Sequence, residues 1–321
     1  MDPKAASLVK GINAGQRRAL ARAITRIESE LPEQAAIGQE VLEALLPKTG
    51  GSLRIGISGV PGVGKSTFIE ALGMFLLEQG KRVAVLAVDP SSPVSGGSIL
   101  GDKTRMESLA KDARAFIRPS PTSGTLGGVA RRTRETLLLC EAAGFDVVLV
   151  ETVGVGQSEA EVASMIDTFL LLMLPGGGDE LQGVKRGILE LTDVLVVNKA
   201  DGDFLERAKE TATQYRRGLH LCLPRVSGWS APVVTMSGLF GDGLKEVWEL
   251  LVAHRAFLDE EDRLKEHRDG QAISWMWSVM EKEVLRHFVG EHSAAIEKAE
   301  AQVRNGKLAP TKAVVDLLKS Q

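Results

Sequence analysis

Cysteine is almost missing from this chain. Only Cys140 and Cys222 occur in 321 residues, too few for a disulfide framework and in keeping with a reducing compartment. A basic excess is missing as well. With 39 Lys and Arg against 42 Asp and Glu the net charge is −3, so no global field draws the protein to nucleic acid or to an anionic membrane. Long apolar runs are absent too. The longest clean one, Phe169 to Leu174, falls far short of the ~20 residues that span a bilayer. The amino-terminal stretch is charged and has no apolar signal core, so export is not expected and the cytoplasm is the expected location. No internal repeat or low-complexity tract appears. What remains is 44% apolar and 25% charged, the balance of a globular protein long enough for one large domain with appendages, or for two domains.

Residues Ile55 to Thr67 read I-G-I-S-G-V-P-G-V-G-K-S-T. They contain Gly59-x-x-x-x-Gly64-Lys65-Ser66, between an apolar run (Leu53, Ile55, Ile57) and a helix-compatible segment from Ser66 to Gln79. Strand, loop and helix in that order give the spacing its meaning as a phosphate loop. A triphosphate needs several backbone N–H groups aimed inward together, and small residues let the chain curl that tightly. The candidate phosphate-binding positions are therefore Gly59, Val60, Pro61, Gly62, Val63, Gly64, Lys65, Ser66 and Thr67. Lys65 supplies a charge between the outer phosphates, and the Ser66 hydroxyl is a ligand for Mg²⁺. The loop opens a helix, whose positive end favours an anion.

From Leu53 onward short β-rich runs alternate with helical stretches. Strands are expected at Leu53–Ser58, Arg82–Val88, Ala115–Arg118, Val147–Glu151, Thr168–Leu174, Val194–Asn198 and Pro232–Met236. Helices are expected near 65–79, 128–143, 157–166, 203–218 and 243–258. Several strands are apolar throughout, as strands covered on both faces must be. The alternation predicts an α/β fold, a doubly wound, mostly parallel sheet with ligands at the C-terminal strand ends. Residues 1–50 read as a helical extension: Asn13 as a cap before the stripe Leu20, Ile24, Ile27, Leu31, then Ile37, Val41, Leu42, Leu45 between Pro32 and Pro47. That layer either meets a partner or covers the chain's own core. The nucleotide domain occupies 51–260. Beyond it, Glu260–Gly270 reads as a charged connector. Ile273, Met276, Trp277, Met280, Val284 and Phe288 then line one side of a helix that must lie on the parent domain or serve as a homodimer arm. Residues 261–321 form this C-terminal helical unit.

Asn198-Lys199-Ala200-Asp201 closes a strand about 130 residues after the phosphate loop. There N-K-x-D fits guanine. Asp201 accepts from N1–H and the exocyclic amine, Asn198 reaches the N7/O6 edge, and the Lys199 stem lies along the ring. Adenine would leave the carboxylate unpaired. Ser237, Gly238 and Leu239 end the following strand, where a backbone amide meets guanine O6. Three acids sit at strand ends or in the adjoining loop, where metal or switch residues belong: Asp89, Asp102 and Glu151. With Ser66 they are the candidate Mg²⁺ ligands, directly or through water. Gly154 follows Glu151 and is placed to donate to the γ-phosphate. Lys185 or Arg186, in a Gly-rich loop after the fifth strand, is the candidate finger charge, and Gln157 the candidate water-orienting residue. Lys65, Glu151, Gln157 and Lys185 thus form the candidate catalytic set. His220 and Cys222 offer two soft metal ligands where a site needs three or four.

Taken together, the runs G-V-P-G-V-G-K-S-T, V-D-P-S-S, G-G-S-I-L-G-D-K-T-R-M, R-P-S-P-T-S-G-T-L-G-G-V, E-T-V-G-V-G-Q-S-E, P-G-G-G-D-E-L-Q-G, N-K-A-D and S-G-L resemble the MeaB/ArgK family of methylmalonyl-CoA mutase-associated GTPases. The resemblance spans roughly residues 10 to 290. It implies a GTP- and GDP-binding, Mg²⁺-dependent chaperone of an adenosylcobalamin-dependent acyl-CoA mutase, slow without its partner and dimeric through C-terminal helices. It also implies Mg²⁺ and switch roles for Asp89, Asp102 and Glu151, and a partner-responsive switch around Lys185. The alternatives are a metallochaperone GTPase for nickel or cobalt and a P-loop kinase.

Overall fold

A computed structural model describes residues 1–88, 106–118, 126–152, 158–176, 186–220 and 222–319. The chain divides into two units, Met1–Lys265 and Glu266–Gln321.

The first unit is built on a seven-stranded sheet: β1 Leu53–Gly59, β2 Val83–Val88, β3 Ala115–Arg118, β4 Val147–Thr152, β5 Thr168–Met173, β6 Val194–Val197 and β7 Val233–Thr235. The order is β3-β2-β4-β1-β5-β6-β7 and every pairing is parallel. The doubly wound α/β expectation holds, with strand ends within a residue or two of those read from the sequence. Alternate residues feed two cores. Ala84, Leu86, Val148, Val150, Phe169 and Leu171 face one, while Val83, Val85, Val147, Leu149, Leu170 and Leu172 face the other. Period-two packing on both faces explains why these strands are apolar at every position.

Helices α1 Pro3–Asn13, α2 Arg17–Ile27 and α3 Pro32–Leu45 share the first core with α6 Leu126–Ala142, α7 Ser158–Ala163 and α9 Leu205–Leu219. The second core holds α4 Lys65–Glu78, α5 Glu107–Lys111 and α10 Leu244–Asp259; α8 is a single turn, Arg186–Glu190. The N-terminal layer therefore covers the chain's own sheet side. Polar ties hold it there: Arg118 pairs with Glu28, Gln39 donates to Glu135 at 2.7 Å, and Gly38 packs so close to α2 that a Cβ would lie 2.8 Å from the Ile27 nitrogen.

Three local expectations are corrected. Asn13 is the last residue of α1, not a cap: α2 begins after Gln16, and the Asn13 side-chain Oδ1 accepts from Lys48 Nζ instead. Gly15, at φ +72°, breaks the path between the helices. Leu31 stands 66% exposed because α2 ends at Ile27, which takes it off the stripe. Glu260–Gly270 is no connector. The break is confined to Glu260–Asp262, where Glu261 and Asp262 have φ of 51° and 59°, and α11 then runs unbroken from Arg263 to Glu291 through Gly270.

The second unit is helical, with α12 Ser293–Arg304 and α13 Pro310–Lys319 following α11. Ala313 is its one buried hydrophobic residue among those described. Ile273, Met276, Trp277, Met280 and Val284 are 40–62% exposed.

Candidate functional site

The parallel register brings the sequence-predicted groups to one edge. Gly59 pairs with Leu172, Leu172 with Val196 and Val196 with Val234. The phosphate loop after β1, the N-K-x-D turn after β6 and the Ser237–Leu239 turn after β7 therefore leave the sheet together, β1 and β6 being two strand spacings or ~10 Å apart.

The loop is shaped by two close approaches. A Cβ at Gly59 would fall 2.5 Å from the Leu172 carbonyl oxygen, so β1 ends where only glycine fits. Gly64, at φ +96°, has room for no side chain either, because a Cβ would lie 2.8 Å from Asn198 Nδ2. α4 then starts at Lys65, with Phe68 N donating to the Gly64 carbonyl at 2.9 Å. Val63 is fully buried in the second core, which anchors the loop, while Pro61, Gly62 and Thr67 are exposed and Val60, Lys65 and Ser66 half-buried.

Asn198 ties the two halves of the site together. It is 2% exposed, its Nδ2 donates to the Val63 carbonyl at 2.8 Å, and its Oδ1 accepts from Gly238 N at 2.9 Å. One amide thus bridges the phosphate loop and the β7 turn. Nδ2 keeps a second hydrogen for a ligand. Beside it, Lys199 takes a left-handed backbone, φ 60°, and is exposed, while Ala200 is buried. The Ser237 hydroxyl donates to Asp201 Oδ2 at 2.5 Å, and Phe240 N donates to the Ser237 hydroxyl at 3.2 Å. The Ser237 bond holds the carboxylate by one oxygen. Leu239 stands 74% exposed at the lip.

On the phosphate side, Lys65 Nζ donates to the Gly59 carbonyl at 2.7 Å. Burial pushes the amine below its ordinary range, and the charges of Glu151 and then Glu159 oppose that shift. Glu151 is 5% exposed at the end of β4, directly opposite Ile57. Thr152 and Ser58 pair beneath the loop, hydroxyl to hydroxyl at 2.9 Å. Glu159, 6% exposed, was not singled out from the sequence. Its signal was there: it occupies the apolar-face position of Val162, Ala163 and Ile166 one turn earlier. Asp89, Asp102, Gly154, Gln157 and Lys185 lie outside the described residues, as does the side chain of Arg186. His220 and Cys222 stand at the far end of the sheet, after α9, where Arg216 reaches the Val233 carbonyl at the start of β7. Among the described residues no three His, Cys, Asp or Glu side chains gather as a metal cluster.

The family model for "Methylmalonyl Co-A mutase-associated GTPase MeaB" matches residues 20–293. This chain belongs to the MeaB family. Within that family, the GTPase ArgK of Escherichia coli is 48% identical over 282 residues, covering 88% of this chain and 85% of its own length. The mitochondrial methylmalonic aciduria type A homolog of Mus musculus is 45% identical over 325 residues, covering 98% and 78%. A crystal structure described as a LAO/AO transport system kinase superposes with a TM-score of 0.80 at 37% identity, covering 99% and 98%. The MeaB-family chain is accordingly a GTPase with the P-loop GTPase fold.

Proposed function

We propose that this MeaB-family GTPase is a G-protein chaperone of an adenosylcobalamin-dependent acyl-CoA mutase, using GTP binding and hydrolysis to gate cofactor loading and to protect or reactivate the mutase. The family's own description as mutase-associated supports the partner. The carrying structural observation is the Asn198 strut, which couples base loop to phosphate loop within one buried amide. A rigid link of that kind suits a protein that reports which nucleotide it holds.

In this reading the phosphates lie on Gly59–Thr67 with Lys65 between the outer two. The base lies on Asn198, Lys199 and Asp201, capped by Ser237–Leu239. The donor set suits Mg²⁺, which takes one or two carboxylates along with water and phosphate: Ser66 and Glu151 would hold it, joined by Asp89 and Asp102, and bound there it would neutralise charge developing on the phosphoryl oxygens. Gly154 would sense the γ-phosphate, Gln157 orient water and Lys185 supply charge in response to the partner. The exposed apolar side of α11 would pair with its copy in a homodimer. A cytoplasmic setting fits, and no described helix is long and apolar enough to cross a membrane.

Two measurements test the reading. Adding the cognate mutase should accelerate GTP hydrolysis severalfold or more; unchanged turnover with binding confirmed by gel filtration would remove the chaperone role. Asp201→Asn should weaken GTP binding by roughly 10–100-fold, the loss of a charge-assisted pair worth ~1.5–3 kcal/mol, and should admit xanthosine triphosphate. GTP affinity that stays put would mean the base lies elsewhere.

A further inference from the structure

Where β1 and β4 reach the nucleotide edge, two hydroxyls interrupt a pair of largely apolar strands. Ile57 lies opposite Glu151, so Ser58 and Thr152 follow one step nearer that edge, with Val88 of β2 on the other side of Thr152. Both residues are fully buried. Thr152 Oγ1 donates to Ser58 Oγ at 2.9 Å and stands 3.4 Å from the Ile57 carbonyl oxygen. Among the described residues the two hydroxyls have no further partner. A buried hydroxyl is costly unless it is bonded, so each one secures the other. Alternation turns the pair away from α4. Ser58 shares a side with Gly56, where a Cβ would lie 2.9 Å from Val162 Cγ1, and Thr152 shares one with Val148 and Val150 of the first core. Their neighbours along the chain turn the other way or enter the loop. Glu151 follows the alternation of Val147 and Leu149 toward the core under α4, and Gly59 opens the phosphate loop, its carbonyl receiving the Lys65 ammonium at 2.7 Å.

We propose that Ser58 and Thr152 are a positioning pair for GTP hydrolysis: their hydrogen bond pins the end of β4, with Glu151, against the start of the phosphate loop, and it sets the rate of hydrolysis rather than the affinity for nucleotide. The inference rests on the phosphate loop as the GTP site and on Glu151 facing it, and it is independent of the mutase partner. Two apolar side chains would fill the same space, but dispersion contacts permit one strand end to slide along the other. A hydrogen bond fixes distance and direction together. Affinity is spread over many loop amides and the base contacts, so a small shear between the two strand ends changes it little. Phosphoryl transfer needs several groups in one geometry at once, and a misplacement of about 1 Å can cost ~100-fold in rate.

The test is a double-mutant cycle on the full chain with Thr152→Val, Ser58→Ala and the two combined. Single-turnover hydrolysis of Mg²⁺-GTP gives the rate, calorimetry with Mg²⁺-GTPγS and Mg²⁺-GDP gives the affinities, and the thermal transition of each nucleotide-free protein checks folding. Thr152→Val, which keeps the shape and removes the hydroxyl, should slow hydrolysis about tenfold and leave both affinities within about twofold. Thr152→Ser, which keeps the hydroxyl, should restore the parent rate to within about twofold. In the Ser58→Ala background Thr152→Val should have no further effect, since the bond is already gone. An unchanged rate in Thr152→Val, rate and affinity falling together, or losses that simply add would each overturn the proposal. Should either single variant fail to fold, the combined one leaves no hydroxyl orphaned and should show the same tenfold loss; a parent-like rate there overturns the idea equally. Lys65→Ala is the control for the site itself. If it binds GTPγS as the parent does, the phosphate loop is not the GTP site, a failure distinct from that of the hydroxyl pair.

Discussion

Strand β5 and helix α11 both carry dense apolar side chains, yet they end in different surroundings. Every residue of β5 is buried, with Phe169, Leu171 and Met173 in one core and Leu170 and Leu172 in the other. Along α11 no described residue is buried, and Trp277 is 53% exposed. A fully buried Leu or Phe stabilises its fold by ~1.5–3 kcal/mol, whereas the α11 row obtains little of that within its own chain. An apolar pattern therefore states that something must cover it. What does the covering is a separate question, answered for β5 by its own helices and proposed for α11 to be a second copy.

The sharpest way to separate the two regions is to damage each and compare. The largest effect is expected at Asp193, 1% exposed at the foot of β6. It accepts from Phe169 N at 2.7 Å and from Arg225 Nε at 3.0 Å, with the Arg225 NH2 at 2.5 Å. Asp193→Ala leaves that guanidinium buried beside an unfilled space, at a cost of ~3–5 kcal/mol. Urea denaturation of the full chain should show the loss directly, and a change below about 1 kcal/mol would mean the network at the sheet's foot is dispensable. The smaller effect is expected on the helix. Trp277→Asp, by the same denaturation measurement, should move stability of the first unit by no more than ~0.5 kcal/mol, as for surface substitutions generally. Light scattering should instead show the proposed homodimer falling to monomer. If the substitution destabilises the body as strongly as Asp193→Ala, the α11 row is not an intermolecular surface.

The same contrast explains what could be read in advance. Strand positions followed from runs such as Val147–Val150 and Val194–Val197, since burial on both faces permits no polar alternation. Glycine spacing gave the phosphate loop because Gly59 and Gly64 are each required by one nearby atom, the Leu172 carbonyl and the Asn198 amide. Asn13 misled because its residue type suits a cap anywhere, and only the Lys48 contact and the turn at Gly15 decide which helix it ends. The charge-rich stretch after Asp262 misled in a related way. Charges on an exposed helix and charges in a linker look alike along the chain. Glu159 escaped notice for the opposite reason: it is an acid on an otherwise apolar face, and its burial depends on how that face packs on β1.

By itself the sequence determined the elements, the parallel sheet and the two motifs that point to phosphate and guanine, because these depend on local backbone requirements and on periodicity. The tertiary structure alone decided that Asn198 joins those motifs through Val63 and Gly238, and that the Lys65 ammonium rests on the Gly59 carbonyl. Such contacts arise when crossover helices fold back across the sheet and bring distant side chains to one edge. No spacing along the chain encodes them.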